Sequence, residues 1–203
     1  MKNKKLFALL LCSVLAIGTL ATGCSGGKTP PASSDKPTQS ENGGTSAGTA
    51  AELGSLKSFT AATLDGGSFT QEDIAAKDVT VINFWSIMCG PCIDEMPELA
   101  KLAKALPDNV QVVTACLDGA GMEDYVKSLL GDFEGVTILS GDGDYQAVDG
   151  NIQYTPTTVF VDSEGNFVGD AIVGGQEDLS GTFLTAVNAV LKASGKAEIS
   201  LEK

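Results

Sequence analysis

The stretch that decides the reading is Phe84-Trp85-Ser86-Ile87-Met88-Cys89-Gly90-Pro91-Cys92. The apolar run before it, residues 79–84, reads as a buried strand, and Ile93-Asp94-Glu95-Met96-Pro97-Glu98-Leu99 after it opens a helix. Met96, Leu99, Leu102, Ala103 and Leu106 recur at helical spacing until Pro107-Asp108-Asn109 ends the pattern, and Pro97 inside it is expected to kink the helix. A Cys-x-x-Cys pair is therefore expected where a strand gives way to a helix start. Unpaired backbone N–H groups and the positive end of the helix dipole favour negative charge there. Such a site lowers the pKa of the first thiol. A thiol of pKa about 8.5 is only ~3 % thiolate at pH 7, whereas one near 7 is about half ionised. The chemistry this predicts is dithiol–disulfide exchange. Two other readings of a Cys-x-x-Cys pair are a static disulfide and a zinc site, the latter short of ligands here.

Composition narrows the field further. The 203 residues suggest one domain after a non-globular start. Formal charge is −13, and removal of Lys2, Lys4 and Lys5 with a cleaved leader would leave −16, 26 acidic residues against 10 basic. So acidic a chain argues against nucleic acid and against electrostatic adhesion to anionic lipid. It contains no histidine, which excludes Ser-His-Asp and Cys-His dyads, His-ligated haem, and any His-containing zinc or copper site. Of the five cysteines, Cys12 and Cys24 fall in the leader region; Cys89, Cys92 and Cys116 are too few for a disulfide scaffold. No metal site and no cofactor beyond the dithiol is expected.

The leader is itself informative. Residues 1–5 are basic and 6–20 form an uncharged, Leu-rich run, followed by Ala21-Thr22-Gly23-Cys24. That is a signal-peptide pattern whose apolar core is shorter than a membrane span. Small residues ahead of a cysteine resemble the lipobox of bacterial lipoproteins, which would make Cys24 the lipidated first residue of the mature chain. An ordinary signal peptide and an uncleaved anchor are the other readings. Residues 25–54 are rich in Gly, Ser, Thr and Pro with almost no large apolar side chain. They cannot bury enough surface to offset chain entropy and are expected to form a tether with a reach of about 30 Å. The expected division is thus 1–23 signal peptide, 24–54 lipidated cysteine and tether, and 55–203 folded domain.

Within that domain, residues 59–64 and 68–70 flank Asp65-Gly66-Gly67 and predict a hairpin. Residues 72–76 predict a short helix, 110–117 a buried strand carrying Cys116, 122–130 a helix and 136–139 a short strand. Residues 141–150 read as an acidic loop. Tyr154-Thr155-Pro156 leads into a strand at 157–161, then a turn at 162–165, a strand at 166–173 and a helix at 177–192. Strands alternating with helices, then a hairpin and a closing helix, imply an α/β fold: a central mixed sheet flanked by helices, with an N-terminal hairpin.

Three blocks in this order resemble the thioredoxin superfamily, and more narrowly the TlpA/ResA-like redoxin group of extracytoplasmic thiol–disulfide oxidoreductases. They are Asn83-Phe84-Trp85 through Cys89-Gly90-Pro91-Cys92, then Glu95-Met96-Pro97-Glu98-Leu99, then Thr155-Pro156-Thr157-Thr158-Val159-Phe160-Val161-Asp162 with Gly165. The resemblance implies a thioredoxin-like fold over about residues 56–194. It makes Cys89 the attacking thiol and Cys92 the resolving one, with Gly90-Pro91 between them, and Pro156, after Thr155, the cis-proline beside the dithiol. Asn83 stands where classical thioredoxins carry a buried Asp, and Met88 replaces the usual aromatic residue before the first cysteine. Glu95 aligns with a family glutamate thought to tune thiols or relay protons; a solvated carboxylate in the first helical turn is the other reading. Trp85 packs under the dithiol or serves the core alone, and Gly174-Gly175 shapes the rim of the site or makes a plain turn. Cys116 reads as an inert, small apolar residue rather than a third redox thiol.

The resemblance implies an enzyme that reduces protein disulfides outside the cytoplasm, tethered to the membrane in a bacterial envelope. Its electrons would come from a membrane thiol transporter of the CcdA/DsbD kind. Apocytochrome c or an extracellular reductase are the acceptors this implies. The alternatives are an oxidase that introduces disulfides and a non-catalytic binding lipoprotein on the same scaffold.

Overall fold

The computed structural model describes residues 49–201. The expected signal peptide, Cys24 and nearly all of the tether lie outside the described residues. Seven strands form one sheet in the order β2-β1-β5-β4-β3-β6-β7. The strands are β1 (Phe59–Thr63), β2 (Ser68–Thr70), β3 (Val79–Trp85), β4 (Val110–Cys116), β5 (Val136–Gly143), β6 (Thr157–Asp162) and β7 (Ile172–Val173). The helices are α1 (Gln71–Ala75), α2 (Gly90–Ala105), α3 (Glu123–Leu130), α4 (Asp144–Asn151) and α5 (Leu179–Ala193). β3, β4 and β5 run parallel; β6 is antiparallel to β3, and β1 to β5. The parallel pairs are joined by α2 and α3, as parallel connections require.

β3 is buried along its whole length because both faces of the sheet are covered. Its alternating side chains divide the core. Val79, Val81 and Trp85 point into one layer with Met96 and Leu99 of α2, Val126 of α3, and Phe183 and Val187 of α5. Ile82 and Phe84 point into the other, with Ile74 of α1 and Tyr145 and Val148 of α4. Thus β3 lies near the middle of the sheet, and its C-terminal end delivers the Cys-x-x-Cys segment to α2. That helix starts at Gly90, with Cys89 at its N-cap and Pro91 in its first turn, where proline's missing N–H costs nothing. It continues through Pro97 to Ala105.

Three spans depart from expectation. The 141–150 stretch is not a loop: β5 extends to Gly143 by pairing with β1, and α4 follows. Only Tyr145 and Val148 of α4 are buried, too few apolar positions to mark a helix amid the acidic and glycine residues. Gly143 makes the junction at φ +70, where a Cβ would strike the Ser58 carbonyl oxygen. The single strand expected over 166–173 is broken at Gly169 (φ +79), leaving a bridge between Phe167 and Val161 and the two-residue β7. Part of the missing pairing is supplied by the N-terminal segment: Ala50 donates its N–H to the Gly169 carbonyl at 3.0 Å and Thr49 bridges Asp170. Packing accordingly takes in residues 49–54, which composition assigns to the tether. Ala50 is buried and a 3-10 turn spans Ala50–Leu53.

Candidate active site

The loop between β3 and α2 is held by a carboxylate far away in sequence. Asp118, two residues past the end of β4, accepts the Ile87 N–H through Oδ1 at 2.9 Å and the Ser86 hydroxyl through Oδ2 at 2.7 Å. Ser86 Oγ in turn accepts the Met88 N–H at 3.2 Å, and the Ser86 carbonyl accepts the Cys89 N–H at 3.1 Å. Every amide from 87 to 89 is thereby satisfied and the approach to Cys89 is fixed. Neither Asp118 nor Ser86 is marked by the sequence reading. An Asp after a buried strand is an ordinary surface residue until the β3–β4 register is known.

Cys89 and Cys92 are joined in a disulfide, S–S 2.03 Å. Cys92 is buried and Cys89 partly exposed, so of the two the first cysteine is the reachable one. The Cys92 N–H points at Cys89 Sγ from 3.3 Å, the N-cap contact that favours negative charge on that sulfur when reduced. Across the sheet, the Thr155–Pro156 peptide bond is cis and the Thr155 carbonyl oxygen lies 3.5 Å from Cys89 Sγ. Pro156 is thus beside the dithiol. The Pro156 carbonyl accepts the Gly174 N–H at 2.8 Å, which carries Gly174-Gly175 to the same rim. Met88 and Tyr154, each adjoining a residue of the Cys89–Thr155 contact, are exposed at 84 % and 68 %. Two large apolar residues are thus exposed next in sequence to the two residues of that contact.

Glu95, three residues after Cys92 and so on the same helical face, is buried at 8 % exposure rather than solvated. Its Oε1 accepts from Asn83 Nδ2 at 2.9 Å, and Asn83 Nδ2 also reaches Thr158 Oγ1 at 3.0 Å. Burial pushes the Glu95 carboxyl up to about 7; the Asn83 hydrogen bond opposes this and the negative Glu98 adds to it. Asn83 is thus a neutral donor to Glu95, and of the two only Glu95 can titrate. Trp85 is fully buried in the same apolar cluster as Cys92, Ile87 and Met96, and its Nε1 has no partner. Cys116 is also buried; burial first, then the nearby Asp118 charge, pushes its thiol up to about 12. A thiol held protonated in this way is a poor nucleophile. Among the described residues, no group of three His, Cys, Asp or Glu side chains is placed to hold a metal.

A disulfide at a helix N-cap, its first cysteine partly exposed, beside a cis-proline that immediately precedes the neighbouring antiparallel strand of a mixed sheet, is the arrangement of thioredoxin-like proteins. The sequence matches the redoxin family over residues 47–187, and the chain belongs to that family. It is 31 % identical over 108 residues to the thioredoxin-like protein YneN of Bacillus subtilis (strain 168), covering 53 % of this chain and 63 % of that one. The chain spans under two-thirds of the length of the curated relatives it matches. Among solved structures it is similar to a thiol:disulfide interchange protein from Bacteroides sp. (28 % identity, TM-score 0.52, 66 % of this chain and 90 % of the other). It is also similar to DsbF of Mycobacterium tuberculosis (MTB), solved in mixed oxidised and reduced forms (26 % identity, TM-score 0.53, 66 % and 96 %).

Proposed function

We propose that this redoxin is a thiol–disulfide oxidoreductase that reduces protein disulfides on the outer side of a bacterial membrane, with Cys24 as its lipid anchor. The observation that carries the chemistry is the Cys89–Cys92 disulfide, with Cys89 at the α2 N-cap and 3.5 Å from the carbonyl that precedes cis-Pro156. In the reduced protein the Cys89 thiolate attacks a substrate disulfide, and one substrate sulfur leaves as thiolate. The mixed disulfide is then resolved by Cys92, which gives up its proton and attacks Cys89 Sγ, expelling the second substrate sulfur. Two electrons pass to the substrate and the Cys89–Cys92 bond re-forms; of the two protons its thiolates take up, one comes from water and the other is the proton that Cys92 gave up. Glu95, one turn from Cys92 and near-neutral in its titration, suits the role of accepting that proton. Thr155 and Pro156 present backbone for an extended substrate, and Gly90-Pro91 holds the two sulfurs in one turn.

The leader pattern and the tether support attachment to the membrane, and an external reductant needs an electron supply, for which a membrane dithiol carrier of the CcdA/DsbD kind is the fitting donor. The proposal is tested by insulin-disulfide reduction. Wild type should turn over with dithiothreitol as reductant, Cys89→Ser should be inactive, and Cys92→Ala should accumulate mixed disulfides with substrate. A Cys89→Ser protein that reduces insulin at the wild-type rate would refute it. The direction is read from the potential: a value above about −150 mV would mark an oxidase, since every 30 mV is about 1.4 kcal/mol for a two-electron couple.

A further inference from the structure

Glu95 is sealed on one side and open on the other. Its Oε1 is taken by Asn83, whereas Oε2 accepts no hydrogen bond from the described residues. Nor is Oε2 among the sealed, unpartnered polar atoms there, which are Gln71 Oε1, Asn83 Oδ1 and Trp85 Nε1. The free oxygen therefore meets solvent. What stands over that opening is Gly175, exposed, in the loop that Gly174 ties to Pro156. A Cβ on Gly175 would sit 3.7 Å from Pro91 Cβ and 3.9 Å from Glu95 Oε2, in van der Waals contact with both.

We infer that Gly175 is a solvent port: its bare α-carbon leaves an opening beside Pro91 through which Glu95 Oε2 exchanges protons with water. This rests on the reading of Glu95 as the proton acceptor and adds the route by which its proton leaves. Gly175 is a positioning residue, acting through Glu95 and touching no reacting sulfur. Any side chain here, even a methyl, would cap the free oxygen, deepen its desolvation and favour the protonated form. The residue need not be glycine for backbone reasons. Its φ lies outside the left-handed region, unlike that of Gly174 at +87. The other groups around Glu95 do not supply a competing switch. Asn83 from β3 and Thr158 from β6 are neutral, and Glu98 on α2 is the one charge that shifts Glu95. Glu177 and Asp178 follow in the same loop, but neither contributes to that shift, and Asp178 is committed to the Gly181 N–H at 2.9 Å.

The test reads Glu95 directly. The chain has no histidine, and in the oxidised protein Cys89 and Cys92 do not titrate. A ¹³C-carboxyl signal moving near pH 7 in oxidised, Glu-labelled protein is then assigned by its loss in Glu95→Gln. Gly175→Ala should raise that midpoint by about half a unit or more, and Gly175→Val by more. The acid limb of disulfide exchange, below which Glu95 is already protonated and cannot accept a proton, should move up by the same amount. An unchanged midpoint in a folded Gly175→Ala protein overturns the inference, whatever Gly175→Val does. Because the titration is read without turnover, the outcomes separate. A shifted midpoint in a protein that never reduces disulfides keeps the port and removes the oxidoreductase reading. Full turnover with an unshifted midpoint does the reverse.

Discussion

At the scale of single residues, two carboxylates define the site, each through a different physical effect. Glu95 is costly to ionise because it is buried. The folded chain holds its proton up to about pH 7, whereas the unfolded chain releases it near 4.5. Between those values the native state binds the extra proton, so this contribution to stability is intact at low pH and declines as pH rises from 4.5 to 7. The full span is at most about 3 kcal/mol. Glu95→Gln should therefore be more stable than wild type at pH 8 and equal to it below about pH 4.5, in urea melts of the oxidised protein. Carboxylates with depressed pKa, such as Asp78 beside Asn109 and Lys196, act oppositely and cancel in this comparison. Asp118, by contrast, works through geometry. Asp118→Ala should cost about 1–2 kcal/mol, because it strands the half-buried Ile87 N–H. It should also slow Cys89 alkylation in reduced protein, whereas an exposed carboxylate with no partner would change neither. Asp118 was invisible in the sequence because its hydrogen bonds span 31 and 32 residues. Glu95 was visible, but its burial was not, since that depends on Asn83 and Thr158 arriving from two other strands.

At the scale of elements, helix starts carry much of the fold. α5 begins at Asp178, which accepts the Gly181 N–H, and this helix covers β3 and β6 with Phe183, Val187 and Leu191. Asp178→Ala should lower stability by about 1 kcal/mol, read as a drop in urea midpoint with an unchanged m-value, and leave the exchange rate as it was. α4 uses its first residue differently. Asp144 Oδ2 accepts the N–H groups of Lys57 and Ser58, both at 2.8 Å, pinning the entry to β1 onto the helix. That explains why an acidic, glycine-containing stretch is helical. The long elements around the cysteines were legible because their apolar residues recur with strand or helix periodicity. α4 and the broken 166–173 strand were not, because their conformation is set by contacts with β1 and the 49–54 segment.

At the scale of the whole molecule, the charge of −13 makes the surface a repulsive field for acidic partners, while Met88 and Tyr154 are exposed apolar residues adjoining the Cys89–Thr155 contact in sequence. For the proposed exchange, a peptide disulfide flanked by lysines should be reduced faster than one flanked by glutamates at about 10 mM salt. The ratio should approach one near 1 M, where the Debye length falls to about 3 Å. A ratio independent of salt would show that recognition is confined to the apolar rim.

What the chain of amino acids determined by itself is the chemistry and its scaffold. Two cysteines three apart at a strand-to-helix junction, a Thr-Pro strand start further on, and the absence of histidine are local or countable properties, and periodic burial follows from them without long-range information. Tertiary structure alone decided which groups surround those sulfurs: the Asp118 clamp, the burial of Glu95 on Asn83, and the bare Gly175 above its free oxygen. Each depends on which strands lie side by side, because desolvation and hydrogen bonding are set by neighbours in space, and no spacing along the chain encodes them.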